Sequence, residues 1–169
     1  VRAILKRNLN MVSLLLGAGA DTEIKNSNGR NALHWAAVTG QTDIAELLLD
    51  YNASLTHQEN DGNTPLHFAG RSADTKMIET LLCWDAATLA KERSSLRITN
   101  DDGLTAKDMA RSHSNGREAV KLFTEWEAGE NSLRREFATA RLQDRQNQQE
   151  RQRHTMRQFL RRPAPSNGG

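Results

Sequence analysis

The chain has 169 residues, close to one domain in size, with 23 basic and 21 acidic side chains and a formal net charge of +2. Apolar residues make up 37% and aromatics 5%, which is lean for a compact globule and ordinary for a thin, elongated repeat array carrying a polar tail. The most apolar stretch, Met11 to Ala20, is broken by glycines and falls well short of the roughly 18 residues a membrane span needs, and the lone Cys83 excludes an internal disulfide and a cysteine-built metal site.

The charge is uneven. Residues 1–130 hold 14 basic and 18 acidic side chains, whereas residues 131–169 hold 9 and 3, and all nine of those cations are arginine. An acidic body is therefore joined to a basic tail, and the two are expected to obey different physics. A single cysteine fits a reducing compartment, so an intracellular setting, cytoplasmic or nuclear, is expected.

The body repeats with a fixed period, the spacing from Gly29 to Gly62. Aligning residues 29–56 with 62–89 makes nine of 28 positions identical without a gap, among them Gly29 with Gly62, Leu33-His34 with Leu66-His67, and Leu48-Leu49 with Leu81-Leu82. Taken in chain order, the first unit supplies only Leu14-Leu15-Leu16 and the turn Gly19-Ala20-Asp21. Counting back by one period places Val1 where His34 sits. Further repeats are thus expected before residue 1, and without them Ile4 and Leu5 lose a packing partner. The second unit opens at Asn28-Gly29 and runs to a helix predicted over Thr42 to Asp50, with Ile44, Leu47 and Leu48 at helical spacing. The third opens on Asn60-Asp61-Gly62-Asn63, strong turn chemistry. Thr64-Pro65 then starts a short helix, because proline suits the first helical turn. A fourth, degenerate unit opens at Asp102-Gly103-Leu104-Thr105-Ala106, where Lys107 and Asp108 replace the Leu-His pair. It comes later than one period after Asp61-Gly62, so a basic insert around Ala90 to Arg97 separates the two, and insertions in repeat arrays map to loops. Each unit therefore reads as turn, short helix, loop, longer helix. Helices this short depend on packing against neighbours.

These residues resemble the ankyrin repeat. Asp61-Gly62-Asn63-Thr64-Pro65-Leu66-His67-Phe68-Ala69 is similar to its opening signature, and Asn28-Gly29-Arg30-Asn31-Ala32-Leu33-His34-Trp35-Ala36-Ala37 repeats it with Thr-Pro replaced by Asn-Ala. The resemblance implies an all-α helical-hairpin solenoid of about 3.5 repeats over residues 1–128, followed by a polar Arg/Gln-rich tail, helical or disordered, over 129–169. It also implies that His34 and His67 hold their turns by hydrogen bonds, with Thr64 as partner in the third unit and Asn31 in its place in the second.

No residue set argues for catalysis. Neither histidine has a nucleophile or carboxylate at a recurring spacing that would form a triad. Cys83 has no local histidine to depress its pKa and reads as a buried or half-buried thiol. Asp101-Asp102 and Asp21/Glu23 lack the spacing of a calcium loop, and Gly17-Ala18-Gly19 follows a helix rather than preceding one, the wrong side for a phosphate cradle. No cofactor and no metal is expected. Trp35, Phe68 and Met109 recur at one position and read as packing between units.

What remains is surface. By the resemblance, a monomeric array binds a partner protein on the face built from turns and first helices. That face comprises Ser27, Asn28, Arg30, Val38 and Thr39 in the second unit, Asn60, Asp61, Asn63, Arg71 and Ser72 in the third, and Asp101, Asp102, Ser112 and His113 in the fourth. In the tail, Leu133, Phe137 and Ala140 form a stripe able to cap the array near Phe123 and Trp126. Residues 143–155 carry no apolar side chain, and Met156, Phe159 and Leu160 form a small face before Arg161-Arg162. The tail reads as a charged linker; nucleic-acid contact through its arginines is the sharper alternative. A third reading makes the repeats a regulatory or targeting region of a larger enzyme or transporter.

Overall fold

The computed structural model describes residues 1–88 and 95–129, and in the tail only residues 139, 140, 143 and 147. Among the described residues of the body, eight α-helices follow one another in four hairpins: α1 Arg2–Leu5 with α2 Leu9–Gly17, α3 Ala32–Val38 with α4 Thr42–Asp50, α5 Pro65–Arg71 with α6 Thr75–Thr88, and α7 Ala106–Arg111 with α8 Arg117–Ala128. First helices stack in the order α1, α3, α5, α7, and second helices in the order α2, α4, α6, α8. This is the helical-hairpin solenoid that the sequence period implies.

Local chemistry sets the helix ends. Asn31, Thr64 and Thr105 stand at the N-caps of α3, α5 and α7, each in a reciprocal capping box with the residue three positions on, His34, His67 or Asp108. Pro65 occupies the first helical position of α5. Asn8 caps α2 by accepting the Met11 N–H at 2.9 Å. Between units, Gly29, Gly62 and Gly103 adopt φ of +76°, +77° and +73°, which only glycine does without strain.

The core is one continuous apolar seam running between hairpins. It includes Val12 and Leu16, then Leu33, Ile44 and Leu48, then Leu66, Phe68, Met77 and Leu81, and ends on Leu122, Phe123 and Trp126. Each short helix lends one face to it, so no hairpin has a core of its own. Ile4, expected to lack a partner, is buried in this seam, while Leu5 is exposed. α1 therefore docks through one of the two residues only.

The helix before the insert is longer than its counterpart, and the described end of the insert is a short turn. α6 runs to Thr88, well past Cys83, the counterpart of Asp50 at the end of α4. On the return, Ser95–Arg97 forms a 3₁₀ turn. The buried Asp85 carboxylate accepts the Ser95 N–H at 3.1 and 3.2 Å, which anchors that turn to α6. Residues 90–94 of the insert lie outside the described residues, as do Leu133, Phe137 and the Met156, Phe159, Leu160 face of the tail. Ala140, the third residue of the expected capping stripe, is helical and exposed.

Candidate interaction surface

The turns are built by side chains that accept backbone N–H groups. Asn26 Oδ1 accepts from Asn28 at 3.0 Å and Arg30 at 2.9 Å. Asn100 Oδ1 does the same for Asp102 at 3.1 Å and Leu104 at 2.9 Å. Glu59 takes that role between them, accepting the Asp61 N–H at 3.3 Å and the Asn63 amide at 2.7 Å. Successive turns are then tied together: the Asn60 N–H donates to the Asn28 carbonyl at 3.0 Å and the Asp101 N–H to the Asp61 carbonyl at 3.1 Å. The Asn60 amide adds a bond to the Ser27 carbonyl at 3.0 Å, and Gln58 bridges the Gly62 and Thr99 carbonyls.

The two repeat histidines belong to this frame. His67 Nε2–H donates to the Leu104 carbonyl of the next turn at 3.0 Å, while its Nδ1 accepts from the Thr64 hydroxyl at 2.8 Å. His34 Nε2–H donates to the Asn63 carbonyl at 3.1 Å, and its Nδ1 faces Asn31. Burial lowers the His34 pKa to about 4, outweighing the Asn63 carbonyl, which favours the charged ring. Burial also lowers that of His67. Both rings spend both nitrogens on structure, which leaves neither free to carry a proton to a substrate.

Around His34 lies a cluster that sequence reasoning did not assemble. The His57 and Phe68 rings meet it edge-on, with centroids at 5.6 and 5.8 Å. The Arg30 and Arg71 guanidinium groups lie 4.6 and 5.2 Å from the Phe68 centroid. Arg30 Nε also pairs with Glu59 Oε2 at 3.3 Å. Burial pushes the Glu59 carboxyl up, but hydrogen bonds from Asn63 and Arg30 hold it below its usual range. Glu59 was legible in principle, because it stands one repeat period after the turn residue Asn26. His57 has no such signal.

The expected recognition residues divide accordingly. Ser27, Asn28, Asn60, Asp61, Asp101 and Asp102 are exposed on the row of turns. Val38, Arg71, Ser72, Ser112 and His113 are exposed at or just past the ends of α3, α5 and α7, where Arg111 joins them. Arg30, Thr39 and Asn63 are half-buried and engaged. Arg30 is held by Glu59. The Thr39 hydroxyl donates to the Trp35 carbonyl at 2.7 Å. The Asn63 amide is bound to Glu59, and its Oδ1 accepts from Asn100 at 3.0 Å. The exposed rows run side by side, one acidic towards the fourth unit and the other changing from apolar Val38 to cationic Arg71 and Arg111.

Among the described residues no three of histidine, cysteine, aspartate and glutamate gather to hold a metal, and no helix is long and apolar enough to cross a membrane. Cys83 is half-buried. A family model described as ankyrin repeats, in three copies, matches residues 1–92, just over half of the chain. No curated protein matches it.

Proposed function

Because the chain belongs to the ankyrin-repeat family, we propose that it is a non-catalytic protein-interaction module that binds a partner protein across its turns and first-helix ends. Ankyrin repeats are generally such modules. The observation that carries the reading is a division of labour. Leu33, His34 and Ala36 recur as Leu66, His67 and Ala69 and are buried, whereas Val38 gives way to Arg71 and Ser27 to Asn60 at exposed positions on the helix ends and the turns. A constant frame with a variable edge is what recognition requires of a scaffold. The partner best matched to these rows offers carboxylates to Arg71 and Arg111 and cations to Asp61, Asp101 and Asp102.

The proposed setting is intracellular, with the array acting as a monomer, either as a scaffold or as the targeting region of a larger enzyme or transporter. The arginine-rich tail is read as a linker. Arg71 is the side chain to reverse, since Arg30 is tied to a buried carboxylate. Arg71→Glu combined with Asp101→Lys is expected to abolish capture of a partner by the purified chain while leaving the thermal melt unchanged. Capture that survives both reversals would move the interface elsewhere.

A further inference from the structure

We infer that Arg71 and Val38 form a two-point anchor for an extended partner segment, an inference that rests on the interaction surface proposed above. Arg71 takes one side-chain carboxylate, and Val38 takes an aliphatic side chain three residues away from it. Arg71 is exposed at the end of α5. Its guanidinium carbon lies 5.2 Å from the centroid of the Phe68 ring, which is 3% exposed, and that of Arg30 lies 4.6 Å from the same centroid. Among the described residues Arg71 has no hydrogen-bond or ion-pair partner. Neighbouring arginines are engaged. Arg30 is paired with Glu59, Arg7 Nη2 donates to the Thr39 carbonyl at 3.1 Å, and Arg111 pairs with Asp108 at 3.2 Å. Contact with the ring restrains the long Arg71 side chain and uses none of its N–H donors. The fork is thus held in place for a planar, two-oxygen anion, which reduces the entropy lost on binding.

Charge selects the anion. Glu59 balances Arg30, so the groups around the Phe68 ring carry one uncompensated positive charge, and the exposed turns present Asp61, Asp101 and Asp102. One carboxylate matches that surplus. A phosphate, at close to two negative charges, exceeds it and is repelled by the acidic turns. Spacing selects the rest. Val38 stands in α3 at the register of Arg71 in α5 and is 37% exposed. α3 and α5 pack against each other, and packed helices lie roughly 8 to 10 Å apart. An extended chain advances roughly 3.3 Å per residue, so side chains three residues apart reach both points.

The test is a selection of displayed random peptides on the immobilised full chain, followed by titration of the recovered peptides. Asp or Glu is expected three positions from Leu, Ile or Val. For such a peptide, Arg71→Gln in the protein and an amide in place of the peptide's acid are each expected to weaken binding about tenfold, and the two together no more than either alone. Arg71→Lys is expected to lose nearly as much, because lysine keeps the charge without the fork. Val38→Ser is expected to weaken binding roughly fivefold. Additive losses, full binding by Arg71→Lys or Val38→Ser, or a phosphoserine peptide that binds more tightly than its Glu counterpart overturn the anchor. Peptides that lack a coupled acid yet are weakened by Asp101→Lys overturn the anchor alone and leave the wider surface standing. If no peptide is recovered, or those recovered are indifferent to both Arg71→Gln and Asp101→Lys, the anchor and the surface fall together.

Discussion

The third and fourth units start their first helices with the same device and different chemistry. Thr64 and Thr105 are both N-caps. Three residues on, the third unit has His67 and the fourth has Asp108. Asp108 completes the box strongly: its carboxylate accepts the Thr105 hydroxyl at 2.6 Å and the Thr105 N–H at 3.2 Å. Those hydrogen bonds, first from the hydroxyl and then from the backbone, hold the carboxyl below its usual range. His67 does the same local work and then reaches across to the Leu104 carbonyl. A carboxylate cannot donate, so it can cap its own helix but cannot fasten the next unit. Histidine at this position couples neighbours; aspartate finishes a helix.

The comparison is tested most directly by removing each residue in turn. His67→Ala is expected to cost about 3 kcal/mol, summing a lost cap, a lost bond to the next turn and a small cavity. Asp108→Ala is expected to cost about 1 kcal/mol, the value of a cap alone. Urea unfolding of both variants measures the gap, and equal losses would remove the coupling role assigned to histidine.

Acid separates the units next. His34 is depressed in the folded state, so its neutral ring contributes stability in full above the unfolded value near 6.5. That contribution is lost as pH falls towards the folded value of about 4. The loss over this window is expected to be about 2 to 3 kcal/mol. Asp108 has a depressed carboxyl, so its contribution persists to lower pH and fades only as pH falls below the usual carboxylate range. Urea midpoints from pH 7.5 to 4 are expected to decline steadily in the parent chain. His34→Gln is expected to flatten that decline, and a slope that survives it would shift the cause to other groups.

The interface between the third and fourth units is also tighter than the one before it. A Cβ at Gly70 would overlap the Ala106 carbonyl oxygen, while the second unit accommodates Ala37 at the same register, fully buried. Gly70→Ala is expected to destabilise by about 2 kcal/mol, the overpacking cost less the gain in helix propensity. Ala37→Gly should cost less than that reversal of fit. The smallest effect concerns the second unit's own cap. His34 Nδ1 lies 2.7 Å from Asn31 Oδ1, and its Nε2–H is already committed to the Asn63 carbonyl, so an amide oxygen meets an acceptor where Thr64 offers a hydroxyl donor. Asn31→Thr is expected to stabilise by about 0.5 kcal/mol, because it also forfeits the Asn31 bond to Glu23 at 3.2 Å. A thermal melt resolves the sign.

Much of the molecule was legible one residue at a time. Thr64-Pro65 announced a helix start because a hydroxyl cap and a fixed φ act within one turn. Gly62 announced a turn because its positive φ is a property of its own backbone. Ile44 and Leu48 announced a buried helix face by spacing alone. The interaction rows were legible as positions but not as states. Arg30 and Glu59 stand in the turns of different repeats, and the pairing that withdraws Arg30 from the surface exists only because adjacent turns are bonded together. His57 joins the histidine–phenylalanine cluster for the same reason.

Leu15 and Leu16 mark the boundary between the two kinds of information. They are adjacent, chemically identical, and both belong to the leucine run that recurs with the period. Their covalent structure and helical periodicity determined that each would seek burial. Which of them found it was decided by the presence of α4 on one side of α2, because burying apolar surface takes a second surface, and a neighbour's position is a property of the assembled stack rather than of any segment within it.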